Sequence, residues 1–227
     1  PIKEGYTFKG WFTSQGQTND DWGNEYIVFS TMPSNSFTLY AKWEINNYAL
    51  SFNSNGGNEI DPLNKAFGSE VILPSLTRTG YTFKGWATSL DGEVTYLAGA
   101  KYTITSSSQV LHAVWEIKSL TISFEENGGS EVLDITQEYN SSITQPENPS
   151  RVGYTFDGWF TDKTFKNEYV FSTMPEENVT LYAKWNINQY TISFNTLGGS
   201  EINPITQNYN STISSPSSPT KTGHSFA

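Results

Sequence analysis

Cysteine is absent from the 227 residues. That excludes disulfides, thiolate zinc sites and thiol catalysis. Large exported domains fold without disulfides, so the absence is compatible with an extracellular bacterial protein. Long apolar runs are missing as well. None approaches the roughly 18 residues of a membrane-spanning helix, and no membrane insertion is expected. No signal peptide, lipidation motif or sorting motif is visible. Charge is sparse at 16% of residues, and positive charge is sparser: 13 Lys and Arg against 23 Asp and Glu, a net charge of −10. Such a chain repels phosphate backbones and anionic lipid surfaces, so no nucleic-acid partner is expected. The acids crowd at Glu125, Glu126, Glu131, Asp134, Glu138 and Glu147. They read as a solvated face.

Aromatic residues are plentiful, with seven Trp, thirteen Tyr and fourteen Phe. Much of this wealth is repeated. Gly5-Tyr6-Thr7-Phe8-Lys9-Gly10-Trp11 returns as Gly80 to Trp86 and as Gly153 to Trp159, and a fourth copy begins at Gly223-His224-Ser225-Phe226. Leu39-Tyr40-Ala41-Lys42-Trp43 returns as Leu111 to Trp115 and Leu181 to Trp185. Tyr48-Ala49-Leu50-Ser51-Phe52 returns as Leu120 to Phe124 and Tyr190 to Phe194, each followed by a Gly-Gly pair at Gly56-Gly57, Gly128-Gly129 and Gly198-Gly199. Three motifs recurring in order define a unit of about seventy residues.

The motifs predict strands. Tyr48, Leu50 and Phe52 alternate with Ala49 and Ser51, and Phe37, Leu39, Ala41 and Trp43 alternate with Thr38, Tyr40 and Lys42. Period two marks a half-buried strand. The Gly-Gly pairs supply the positive φ of tight turns. Pro146 to Pro149 and Pro216 to Pro219 exclude central strands and mark irregular crossings, with room for one helical turn. Units of this size fold alone, if marginally. Four residues, none of them Gly or Pro, separate Trp43 from Tyr48, Trp115 from Leu120, and Trp185 from Tyr190. So short a joint is no loose tether. Its recurring Ile45, Ile117 and Ile187 are expected to be buried between units, giving an elongated semi-rigid rod.

Strand, Gly-Gly turn, Gly-Tyr-Thr-Phe-x-Gly-Trp, Ser-Thr-Met-Pro at Ser30 to Pro33 and Ser172 to Pro175, and Leu-Tyr-Ala-x-Trp together resemble the Listeria–Bacteroides repeat, also called the internalin-type B-repeat. The resemblance spans essentially the whole chain. Unit two departs from it, with Tyr102-Thr103-Ile104-Thr105 in the Thr-Met-Pro stretch. The resemblance implies a mainly β chain of tandem β-grasp-like units. It also implies export to a bacterial surface, a place in adhesins or other multidomain surface proteins, and neither catalytic nor binding residues to carry over. In that family's phase, residues 1–46 are the C-terminal part of a first repeat, 47–118 and 119–188 are whole repeats, and 189–227 is the N-terminal part of a fourth. The chain begins without Met and stops inside a motif, and so reads as part of a longer protein. Either the folded unit begins near Gly-Tyr-Thr-Phe, or each terminal half pairs with another chain. The second case predicts head-to-tail self-association.

Candidate chemistry is thin. His112 replaces Tyr40 and Tyr182 of the other copies, and His224 replaces the Tyr of Gly-Tyr-Thr-Phe. Both are framework substitutions, and no base–partner pair is marked out. Glu59, Glu131 and Glu201 each follow a Gly-Gly turn by the same step, which suits a turn or strand edge. Asp20 and Asp21, with Asn19 and Asn24, could offer oxygens to a hard cation, but their spacing matches no known loop. No isopeptide pattern of Lys, Asn and Glu aligns between units. No cofactor, metal or catalytic residue is expected. Six of the seven Trp occupy the two repeated positions. The seventh, Trp22, follows a loop from Ser14 to Asp21 that is longer than its counterpart in unit three, and Trp22 aligns with Phe165. Long loops carry function, so Trp22, Asp20 and Asp21 are the expected ligand contacts. The sequence thus points to a non-catalytic array serving as a stalk, as an adhesive module contacting host or cell-surface protein or glycan, or alternatively as an accessory module of a secreted hydrolase.

Overall fold

The computed structural model describes residues 1–18, 20–27, 29 and 31–226. Every regular element among them is a strand. No helix among the described residues is long and apolar enough to cross a membrane. The chain divides into two compact units, Pro1–Ile117 and Lys118–Ala227.

In the first unit, β1 (Tyr6–Phe12) and β2 (Tyr40–Ile45) form an antiparallel pair. Next come β3 (Asn47–Asn53), β4 (Leu63–Ala66), β5 (Glu70–Ile72), β6 (Tyr81–Ala87), β7 (Lys101–Thr103) and β8 (Gln109–Ile117). The order β4-β3-β8-β6 makes a mixed four-stranded sheet, and β5 and β7 pair separately. The first and last strands of this repeat, β3 and β8, lie parallel at its centre, with Leu50 opposite Gln109 and Phe52 opposite Leu111. The second unit builds the same sheet from β9 (Ser119–Glu125), β10 (Ile135–Glu138), β11 (Tyr154–Phe160) and β12 (Val179–Ile187), in the order β10-β9-β12-β11. A further pair, β13 (Gln189–Ile192) and β14 (Ile205–Asn208), follows.

The alternation seen in the sequence sets the faces. Leu120, Ile122 and Phe124 of β9 are buried, while Thr121 and Ser123 between them are not. They meet Leu181 and Ala183 of β12, Trp159 of β11 and Met174 in one core. The first unit's core repeats this with Leu50, Leu111, Ala113 and Trp86. Phe and Trp of the Gly-Tyr-Thr-Phe-x-Gly-Trp motif are three residues apart, which in a regular strand would place them on opposite faces. A bulge at the intervening glycine resets the register between Phe83 and Gly85. Gly85 there has φ +141°, and an added Cβ would lie 2.5 Å from the carbonyl oxygen of Tyr96. The bulge lets Phe83 stack edge-on against both Trp86, at 5.3 Å, and Trp115, at 5.2 Å. The same Trp–Phe–Trp arrangement recurs at Trp11, Phe8, Trp43 and at Trp159, Phe156, Trp185.

The joints are tighter than the four-residue spacing suggested. Strands run through them, leaving only Asn46 between β2 and β3 and only Asn188 between β12 and β13. The Asn46 amide donates to the Gly5 carbonyl, and its own carbonyl accepts from the Phe67 amide, both at 2.9 Å. Asn188 repeats this with Gly153 at 2.9 Å and Tyr209 at 2.8 Å. The Thr7 and Thr155 hydroxyls donate to the Asn46 and Asn188 side chains at 2.5 and 2.6 Å. The expected burial of the recurring Ile does not hold at two of the three: Ile45 and Ile187 are each 42% exposed, and Ile117 is half-buried. An aromatic ring on glycine fills the joint instead. A Cβ on Gly5 would lie 2.2 Å from the Phe67 ring, and one on Gly153 would lie 2.1 Å from the Tyr209 ring. Two further expectations are corrected. The Pro146 to Pro149 crossing holds no helical turn, and β2 begins at Tyr40 rather than Phe37.

Candidate functional site

The loop after β1 is shaped by Asp21. Its carboxylate accepts from the Thr18 amide at 2.7 Å and the Gln17 amide at 2.9 Å. The Thr18 amide, then that of Gln17, hold its pKa below the ordinary aspartate value. Oxygens engaged by N–H donors are poorly placed to take up a cation. Of the other proposed oxygen donors, Asn24 closes the loop through its carbonyl, which accepts from the Thr13 amide at 3.0 Å. Asp20 is exposed, and its amide approaches the Thr18 hydroxyl at 3.4 Å. Asn19 and Ser30 lie outside the described residues. Among the described residues no group of three or more His, Asp or Glu side chains could hold a metal ion.

Trp22 is half-buried and packs edge-on against Phe12 at 5.5 Å, with the Lys42 ammonium 5.2 Å above Phe12 and 5.9 Å above Trp22. The third repeat mirrors this. Phe165 meets Phe160 at 5.7 Å beneath the Lys184 ammonium, and Asp162 organises the loop as Asp21 does. The Thr164 hydroxyl is the largest cause of the lowered Asp162 pKa. Trp22 therefore stands on the frame that carries Phe165, with part of its indole open to solvent.

The structure adds a site that the sequence reading missed. Beside the Gly-Gly turn of the third repeat is an open hollow of about 330 Å³ lined by Glu125, Asn127, Arg151, Lys163, Tyr182 and Trp185. The Trp185 indole lies over Gly129 and donates to the Glu126 carbonyl at 2.8 Å. The Asn127 side-chain amide donates to the Ala183 carbonyl at 2.7 Å, fixing the turn to β12. Arg151 donates to the Asn127 carbonyl at 2.9 Å and lies 3.9 Å above the Tyr154 ring. The Lys163 ammonium sits 5.2 Å over Tyr182. Two cations, a carboxylate and ring faces at one hollow are groups that orient a polar, ring-shaped ligand. The second repeat keeps the frame, with Trp115 on Gly57, Asn55 on Ala113 and Arg78 over Tyr81. It carries Asn53, Leu90 and His112 in place of Glu125, Lys163 and Tyr182. The signal for this site was the basic residue two before each Gly-Tyr or Gly-His pair of the motif, at Lys3, Arg78, Arg151 and Lys221.

The other candidates sit in local contacts or on exposed surface. His112 Nδ1 lies 3.3 Å from the Asn53 side-chain nitrogen, and His224 Nδ1 lies 3.0 Å from the Thr222 carbonyl. Glu59, Glu131 and Glu201 are exposed just past their turns. Within the acidic stretch, Glu126 accepts from the Val132 amide at 2.8 Å and Asp134 from the Ser123 hydroxyl at 3.0 Å.

A family model described as the Listeria-Bacteroides repeat domain matches residues 1–42, 48–114, 121–184 and 190–227. Among curated proteins, one from Evansella cellulosilytica named as a Gly-rich membrane protein is 39% identical over 99% of this chain and 26% of its own length. Another from that organism, named as a membrane protein, is 42% identical over 83% of the chain and 28% of its own length. Internalin H of Listeria monocytogenes is 39% identical over 40% of the chain and 17% of its own length. The chain thus spans between 17% and 28% of these relatives.

Proposed function

Because the chain belongs to the Listeria-Bacteroides repeat domain family, we propose that it is a non-catalytic stalk segment of an extracellular bacterial surface protein. In this reading its repeats are β-grasp-like, with the boundaries 47–118 and 119–188 and partial repeats on either side. The single observation that carries the stalk is the joint. A one-residue link bonded on both sides and a ring seated on glycine recur at Asn46 and at Asn188. A spacer needs joints that resist bending, and two copies of one device fit that need better than they fit a diffusible module. Two relatives are named for a membrane and a third is an internalin, which supports a place at the cell envelope.

A test sets the chain between a surface anchor and an epitope tag on a bacterium. The stalk should expose the tag to a bulky antibody better than a Gly/Ser linker of equal residue number, which coils back on itself. Equal exposure would count against a stalk.

One observation favours a second role. The third-repeat hollow varies between copies on a constant frame, as an adhesive surface would. Host or cell-surface glycan or protein contacts would then form at Lys163, Arg151 and Tyr182, or at the Trp22 loop. Immobilised chain should bind a glycan and matrix-protein panel saturably, and lose that binding in Lys163→Ala or Trp22→Ala. No binding above an unrelated acidic β protein sinks the adhesive role and leaves the stalk. The alternative of an accessory module in a secreted hydrolase has no feature of these residues in its favour.

A further inference from the structure

The hollow of the third repeat sets two cations and one carboxylate on a single lining, and none of them is neutralised. Among the described residues Arg151, Lys163 and Glu125 make no ion pair. In a chain of net charge −10, two unpaired cations lining one hollow are a local exception.

The lining is held in place by the repeat's own bonds. The half-buried Arg151 guanidinium donates to the Asn127 carbonyl at 2.9 Å, lies 3.9 Å above the Tyr154 ring and is 5.9 Å from the Trp185 ring. That bond engages one N–H of its fork, and the fork has others to offer. Lys163 follows Asp162, whose carboxylate accepts from the Thr164 amide at 2.9 Å and the Asn167 amide at 3.0 Å. The loop carrying the ammonium is therefore closed on itself. Phe165, in the same loop, lines the hollow at φ +54°, a conformation that bulky residues rarely adopt. The Trp185 indole is fixed by the Glu126 carbonyl at 2.8 Å. A lining set before a ligand arrives loses little freedom when it binds.

These groups place three demands on one ligand. The cations need an anion. Glu125 accepts only, so it needs hydroxyl or amine donors. The rings of Tyr182 and Trp185 need a flat face of C–H groups, whose slight positive charge suits the ring face. A small inorganic anion brings no donors, and a neutral sugar leaves the cations unanswered. A phosphate monoester brings close to two negative charges against Glu125. A carboxylate brings one, and it matches the guanidinium fork in shape. We propose that this hollow binds one carboxylate-bearing sugar ring, such as a uronate, of an acidic glycan. Its carboxylate accepts from Arg151 and Lys163, its hydroxyls donate to Glu125, and its C–H face lies on Tyr182 and Trp185. A volume of about 330 Å³ is at the small end for ligand pockets and suits a single ring. The second repeat keeps Arg78 over Tyr81, but has Leu90 for Lys163 and Asn53 for Glu125, so it lacks the second cation and the acceptor. This site rests on the adhesive reading and gives it a ligand class.

The test titrates the whole chain, labelled with nitrogen-15, with methyl β-D-glucuronide and follows its amide and indole resonances. The Trp185 indole and the Asn127 amide should shift saturably, with a dissociation constant of about 1–10 mM, as suits one ring in an open hollow. The Trp115 indole of the second repeat should stay still. Methyl β-D-glucoside has the ring without the carboxylate, and acetate has the carboxylate without the ring. Each should bind at least about tenfold more weakly. Lys163→Met keeps the stem of an exposed side chain and removes its charge, and should weaken glucuronide binding at least about tenfold. Added salt should weaken it too. Absence of a saturable Trp185 shift overturns the site. So does equal affinity for acetate, which would mark an adventitious ion only, or unchanged affinity in Lys163→Met. If the immobilised chain captures a matrix protein while glucuronide shifts nothing, the sugar site falls and adhesion through protein stands. If neither binds, both fall.

Discussion

Gly5 and Gly68 share φ +77°, but a Cβ on Gly5 would enter the Phe67 ring at 2.2 Å, while one on Gly68 would meet nothing within 4 Å. This pair isolates the joint. Gly68→Ala should cost only the left-handed backbone penalty, about 1–2 kcal/mol. Gly5→Ala carries the same penalty plus overpacking of about 1–3 kcal/mol, for a total of about 2–5 kcal/mol. The chain has one way to escape that cost, which is to let Phe67 leave Gly5 and so open the joint. The loss then appears locally. The amides of Asn46 and Phe67, which bond across the joint at 2.9 Å, report on it directly. In Gly5→Ala their hydrogen exchange should quicken by about thirtyfold or more, roughly 2 kcal/mol of lost protection. Amides at the centre of β3 and β8 should keep their protection. Gly68→Ala should leave the Asn46 amide near its original rate. Equal effects of the two substitutions on the Asn46 amide would refute the claim that ring-on-glycine packing closes the joint.

Leu197 sits at φ +49°, where the other turns place Asn55 and Asn127, so Leu197→Asn should stabilise the second unit by about 1 kcal/mol in urea titration. Trp86 Nε1 donates to the Pro74 carbonyl at 2.9 Å, whereas the buried Trp159 Nε1 has no hydrogen-bond partner among the described residues. Trp86→Phe should therefore cost about 1 kcal/mol more than Trp159→Phe, measured as the difference between their unfolding free energies. The depressed Asp21 and Asp162 carboxylates set a pH dependence. Their stabilisation of the two loops is full above the ordinary aspartate range and fades as pH falls through their lower folded values. Amide exchange at Thr18 and Asn167 should quicken in that acid window, and Asp21→Asn should abolish the dependence at Thr18.

The strands were legible because their signals are local. Alternation at Leu120, Ile122 and Phe124 marks burial on one face, and Gly-Gly marks the turn. Aligning Trp22 with Phe165 also anticipated their shared perch. The joint was misread because Ile45 is apolar but its neighbours are not. What fills the joint is Phe67, contributed from twenty-one residues beyond Asn46, and its place on Gly5 depends on a backbone approach that no periodicity encodes. The Lys163 hollow was equally hidden. Lys163, Arg151, Tyr182 and Glu125 come from a loop, a crossing and two strands, and only the sheet order brings them to one place. Strand loss at residues 37–39 is a tertiary effect, since β12 is regular there only because β9 lies beside it.

The account rests most on joints that do not bend. Lys9→Cys on β1 and Lys65→Cys on β4, spin-labelled in a chain with no other cysteine, report the distance across the first joint by pulsed electron resonance. Lys9 gives up only an exposed ion pair with Glu44, worth little. One narrow distance distribution, broadened in Gly5→Ala, is the predicted result. A distribution in the unsubstituted chain as broad as that of a variant with a Gly-Ser insertion beside Asn46 would contradict it, and the stalk would lose its physical basis.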